Sequence, residues 1–325
     1  MTLRTVSENP FRSVAALCED DRVTDRIALE RRAEGAAIGG VRIVVGLMWL
    51  ANLHWKVPPH FGEDNGGGLY KYAAATLRHS PFAPYRWITE HIIVENFVLF
   101  GWVTIVTETT LAALLLMGYR TRIVALVGAA MSTLIFFSVI YYDRADEWSW
   151  SYFLMIGVHL LLAAVSAGKH VGVDGVLAES PARSAAALRV LGWVAGLVGV
   201  VGLIVARSVD FAGRQVALLG SDAGFIDEDD VTRRWELKLL WFNPMWALLT
   251  IAGAVLLVVG VRRIAVAWVG IALFGMMAVV VFASETFMYD RDDGSLQRIG
   301  TASNTAFWAA LALAGALFAR RIPKS

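Results

Sequence analysis

The stretch Phe97–Met117, FVLFGWVTIVTETTLAALLLM, runs straight into Gly118-Tyr-Arg-Thr-Arg122 and then into a second apolar run. At about 1.5 Å per helical residue, such a run crosses the roughly 30 Å hydrocarbon core of a bilayer. A turn of five residues that holds two arginines marks the end of one span and the start of the next. Seven more apolar blocks lie on either side: Ala37–Leu53, Ile123–Tyr142, Ser151–Ala167, Ala186–Ala206, Phe242–Gly260, Ile264–Ala283 and Ser303–Ala319. The chain is 57% hydrophobic and 18% charged, whereas soluble domains hold about 45–50% and about 25%. These features predict an all-α polytopic membrane protein of about eight transmembrane helices.

Charge placement sets the predicted topology, because Lys and Arg collect on the cytoplasmic side of short loops. The turns Gly118–Arg122 and Gly260-Val-Arg262-Arg263 are basic, as are Arg31-Arg32 before the first span and Arg320-Arg321 after the last. The intervening turn, Asp143-Arg-Ala-Asp146-Glu147, is acidic. Both termini are therefore expected in the cytoplasm, with the chain in the plasma membrane and in contact with lipid. Residues 1–36 are polar with mixed charges; they read as a cytoplasmic arm with an amphipathic helix near Val23–Ala33, not as a signal peptide. Two long outer segments follow, from about His54 to Asn96 and from about Arg207 to Trp241. The net charge of +1 gives no field that would draw nucleic acid.

The two halves share a pattern. LLLMGYRTRIVALVG (114–128) resembles VLLVVGVRRIAVAWVG (255–270), and LRVLGWVAGLVG (188–199) resembles VRIVVGLMWLAN (41–52), aligning Arg189 with Arg42. Four spans per half make this a parallel repeat. The expected division is an arm at 1–36, a first four-helix bundle at 37–168, a linker at 169–185 and a second, degenerate bundle at 186–325.

Ionisable groups inside spans are costly, about 2.5–3.5 kcal/mol each on insertion scales, and so point to function. In the first half these are Arg42, Glu108 and His159. Counting from the cytoplasmic ends places Arg42 about 8–9 Å deep and the other two about 12–15 Å deep, so the three could meet at one level. Two readings follow. Arg42, Glu108 and His159 form a catalytic or binding pocket, with Thr107 beside the carboxylate. Alternatively, Arg42 pairs with Glu108 to fix helix register and His159 bonds a neighbour. Arg189 has no matching carboxylate and reads as an arginine snorkelling to the surface. On the outer segment, Lys56 and Arg86 beside Trp55 and Trp87 either anchor the chain to headgroups or form an anion-binding surface. The single cysteine, Cys18, and the scattered histidines offer no metal or haem ligand set.

The Arg in span one with Lys beyond its outer end (VRIVVGLMWLANLHWK, 41–56) resembles the DoxX/DoxD family of small four-helix membrane proteins. The span-two glutamate ten residues before a Gly-x-Arg-x-Arg turn (TETTLAALLLMGYRTRIVAL, 107–126) resembles it further. The resemblance implies Arg42, Lys56, Glu108, Gly118, Arg120 and Arg122 as signature positions. It also implies quinone as the cofactor, bound near Thr107, Glu108 and His159, and a partner redox subunit of the thiosulfate:quinone oxidoreductase type. Such a chain would be one subunit of an enzyme. A non-enzymatic scaffold or assembly protein is the competing reading, and small-molecule transport a third.

Overall fold

The structure, a computed structural model, describes residues 14–53, 55–80, 82–140, 149–212, 215–218, 239–287 and 302–323. The acidic turn at 143–147 and the charged runs at 227–234 and 289–294 lie outside the described residues.

Helix α1 (Val14–Ala51) joins the polar arm and the first span in one piece. In the arm, Arg26 pairs with Glu30 one helical turn on, at 3.1 Å, a spacing that supports the helix. Then come α2 (Tyr70–His79), α3 (Ala83–Ile88) and one π-helical turn (Thr89–Ile93). The long helices α4 (Phe97–Met117), α5 (Thr121–Val139) and α6 (Ser149–Ala164) complete the first group. A short α7 (Val173–Ala178) leads to α8 (Pro181–Val205), α9 (Pro244–Gly260), α10 (Ile264–Phe287) and α11 (Ala302–Ala319). Strands β1 (Val216–Ala217) and β2 (Trp241–Phe242) form one small antiparallel ladder before α9.

Among the described residues, six helices are long and apolar enough to cross a membrane: α1, α4, α5, α8, α10 and α11. The apolar stretches of α6 and α9, Trp150–Ala164 and Pro244–Gly260, are shorter. The chain is thus an all-α polytopic membrane protein, with α6 and α9 completing two groups of four.

The second group closes on itself, α8 on α9, α9 on α10, α10 on α11 and α11 back on α8. Helix α8 buries a stripe of small residues, Ser184, Gly192, Ala195, Gly199 and Gly202. Apolar side chains gain little by leaving lipid for protein, so close backbone approach through small residues holds such helices together. The opposite face of α8 shows Val190, Trp193, Leu197 and Ile204, which suits contact with lipid. Helix α11 is two-thirds buried along its apolar window, the most of any span. It packs on α10, α8 and α4 and so joins the two groups. Trp102 of α4 meets Phe282 of α10 across the same seam, ring centroids 5.8 Å apart.

Candidate functional site

The site is built where α1 ends. Beyond Ala51 the chain turns, and Phe61, fully buried, lies against Gly101 of α4, where any β-carbon would collide with its ring. That anchorage brings Lys56 down into the bundle. Lys56 Nζ donates to the Asn52 carbonyl at 2.8 Å, sits 4.1 Å from the Trp55 ring centroid, and meets Glu108 Oε2 at 2.7 Å. The lysine and glutamate side chains are 2% and 1% exposed. Both charges are therefore fully desolvated, a state tolerated only because they face one another. Glu108 Oε1 is equally buried and accepts no hydrogen bond among the described residues.

A cavity of about 230 Å³ stands over this pair. Glu108, Thr104, Val103 and Phe100 of α4 line one wall, and Met131, Leu134, Ile135 and Ser138 of α5 another. Both sets recur at intervals of three and four, the spacing that puts side chains on one helical face. Asn52, Trp55 and Lys56 come from the end of α1, and Tyr152 from α6. Tyr72 of α2, Tyr85 of α3 and Thr89 form the cover. Tyr85 Oη lies 2.8 Å from Ser138 Oγ, and Thr89 Oγ1 donates to the Tyr85 carbonyl at 2.9 Å. Burial pushes the Tyr85 phenol above its ordinary pKa, with its bonds to Ser138 and Thr89 opposing. The group therefore stays neutral and able to donate beyond the usual phenol range. The aromatic segment near Tyr85 reads in the sequence as lying in the headgroup layer. Trp87 and Arg86 are exposed accordingly, but Tyr85 turns inward to close the cavity.

Arg42, Glu108 and His159 do not meet. Arg42 is fully buried and donates to the carbonyls of Leu115, Leu116 and Val171. Those first two lie seven and eight residues past Glu108, about 11 Å further along the helix axis. The arginine thus caps the carbonyl end of α4, where the helix dipole favours a cation. Its partner is a helix end, so the expected Arg42–Glu108 pair gives way to Lys56–Glu108. The reason is the fold of residues 52–69, which returns a cation to α4 from the far side.

The glycine-arginine turn belongs to the Arg42 end. Gly118 adopts φ 69°, and its N–H closes α4 onto Leu114 and Leu115. A β-carbon there would lie 2.8 Å from the Arg42 guanidinium carbon. Asp174 accepts from the backbone N–H of Arg120 at 3.0 Å, and its own N–H donates to the Gly118 carbonyl at 3.0 Å. The Arg120 and Arg122 side chains are exposed. The start of the expected linker, residues 169–174, is thereby stitched beneath α4.

His159 is buried but does not line the cavity. Its Nε2 accepts from Trp49 Nε1 at 2.9 Å, and its Nδ1 lies 2.7 Å from the Met155 carbonyl. That pattern fixes a neutral ring with the proton on Nδ1. Both nitrogens are engaged, and the imidazole packs so closely on Gly128 that a β-carbon there would overlap it. Thr107 also stays off the lining; Thr104, three residues earlier, takes that place. Sequence reasoning missed Asn52, Tyr72, Tyr85, Ser138 and Tyr152. The available signal was Lys56 itself, a cation within a few residues of the end of an apolar span.

The second group has no such arrangement among the described residues. Thr250, beside the position that matches Glu108, is buried and accepts from Trp308 Nε1 at 3.2 Å. Arg189, which the repeat aligns with Arg42, is exposed.

Residues 39–192 match the family model described as TQO small subunit DoxD. The match covers all of the cavity and the Arg42 cap and ends within α8. No curated protein and no solved structure matches the chain.

Proposed function

We propose, from the match of residues 39–192 to the family model described as TQO small subunit DoxD, that the chain is a membrane subunit of a redox system and binds a quinone head group in the α1–α4–α5 cavity. Glu108 Oε1 carries this reading: among the described residues it is a buried carboxylate oxygen with no hydrogen-bond donor, on a residue that lines a cavity walled mainly by rings and aliphatic groups. An apolar cavity of about 150 Å³ accommodates a benzene ring, so about 230 Å³ suits one substituted ring. A hydroquinone hydroxyl would donate to Glu108 Oε1, and a quinone carbonyl would accept from Lys56. The neutral Tyr85 phenol and Ser138 offer a second polar contact at the covered end. Aromatic walls supply stacking and exclude water.

In this reading the carboxylate binds and takes a proton, and the lysine holds its charge; Arg42 and His159 position helices. A partner redox subunit exchanges the electrons. The second group, α8–α11, supports the first and is a diverged copy of it. We further propose a plasma-membrane location with both termini cytoplasmic, which puts the cavity on the outer side and the Arg42 cap on the inner.

The test is purification in mild detergent, extraction of bound quinone, and titration of a tail-less benzoquinone while following Trp55 fluorescence. Wild-type protein should bind about one equivalent, and Glu108→Gln should bind at least tenfold less tightly. A wild-type protein that carries no quinone and binds none would end this reading.

A further inference from the structure

The cavity holds one ring and little more, yet membrane quinones carry long apolar tails, so any such ligand needs an exit for the tail. We infer that the cavity opens sideways to the hydrocarbon layer through a portal between α4 and α5, framed by Val103 and Leu134. This rests on the quinone reading above.

Two ends of the cavity are covered by side chains. The Lys56–Glu108 pair forms the floor, 11 residues into α4, or about 16 Å from its start. Tyr72, Tyr85 and Thr89 cover the opposite end, held by the Tyr85–Ser138 contact and by stacking of Phe82 on Phe137 at 4.9 Å. Val103 and Leu134 differ from the rest of the lining. They line the cavity and are 57% and 43% exposed, more than any other lining residue. Each lies five or six residues from the covered end of its helix, so both sit about 8–9 Å below that end, at one level. Helices α4 and α5 are joined by the tight Gly118–Arg120 turn, but they touch less than α5 touches α6 or α1 touches α4. An opening rimmed by two aliphatic side chains admits an isoprenoid or alkyl chain and rejects a hydrated ion. The ligand class is therefore a ring with an apolar tail that enters from the bilayer, not a water-soluble oxyanion.

The experiment compares a tail-less benzoquinone with its long-tailed isoprenoid counterpart, by equilibrium binding to protein in lipid nanodiscs. Val103→Phe with Leu134→Phe should raise the Kd of the tailed quinone at least tenfold and that of the tail-less one less than twofold. Val106→Phe, exposed on α4 but off the rim, should change neither. Equal loss of both ligands, or no loss of either, overturns the portal while leaving the quinone site standing. Wild-type protein that binds neither ligand overturns both. Should the double variant not fold, a quinone bearing a photoreactive group on its first tail unit decides the matter in wild-type protein. Labels within 97–117 and 121–139 support the portal; labels within 55–80 or on α8–α11 refute it.

Discussion

Replacing Glu108 by Leu removes the carboxylate that lies 2.7 Å from the Lys56 ammonium, a group only 2% exposed. Removing one member of a buried pair typically costs about 3–5 kcal/mol, whereas replacing both by apolar groups is often close to neutral. Lys56→Leu should be similarly costly, because it strands the carboxylate. The double variant should then recover most of the loss, giving a coupling of about 3 kcal/mol or more, well above the roughly 0.3–0.5 kcal/mol scatter of independent sites. At about 1.4 kcal/mol per tenfold change, that is more than 100-fold in the folding equilibrium. Reversible unfolding of the purified protein in mixed micelles, followed by tryptophan fluorescence, measures all four corners. A parallel cycle with Arg42→Leu and Glu108→Leu should be additive, since Arg42 bonds the carbonyl end of α4 and Glu108 lies mid-helix, about 11 Å away along the axis. Coupling in the Arg42 cycle, or additivity in the Lys56 cycle, would refute the assignment of partners.

Other expectations follow from the same geometry. Arg42→Met removes hydrogen bonds to three carbonyls and should destabilise by about 3 kcal/mol or more, given roughly 1.5–3 kcal/mol per charged hydrogen bond, while tail-less quinone binding to the folded fraction is unchanged. Gly118→Ala should lower the melting temperature of the purified protein, through the cost of about 1–2 kcal/mol for a left-handed alanine and through contact with Arg42. His159→Ala and Gly128→Leu should both weaken α1–α6 packing and leave quinone affinity within twofold, because neither residue lines the cavity. For topology, a cysteine at the exposed Glu63 should react with an impermeant thiol reagent on intact cells, and one at the exposed Arg122 only after lysis. The opposite pattern would invert the orientation.

Hydrophobic blocks made the helices legible. The spans read at 97–117, 264–283 and 303–319 correspond to α4, α10 and α11, because lipid requires an unbroken apolar run of a set length. The one long extension is α1, which continues into the polar arm through pairs such as Arg26–Glu30 that a search for apolar blocks does not register. Glu108 stood out because a carboxylate in a span demands a partner. Its partner did not, since Lys56 lies outside any span and reaches Glu108 only through the fold of residues 52–69. Arg42 and His159 stood out for the same reason as Glu108, but their partners are backbone carbonyls and an indole, which every helix offers and no pattern marks. Depth counted along separate helices places groups at a level; it does not say which faces turn together. The cavity's cover was hidden for a related reason: Tyr85 and Trp87 share a short helix, and only the packing of α3 against α5 decides which ring turns inward.

The most direct test of the quinone site is a cryo-EM map of the full chain in nanodiscs with a long-tailed quinone added. The account predicts ring-shaped density within hydrogen-bonding reach of Glu108 Oε1 and Lys56 Nζ, with its tail leaving between Val103 and Leu134. Density for the ring among α8–α11, with the α1–α4–α5 cavity holding none, would contradict it.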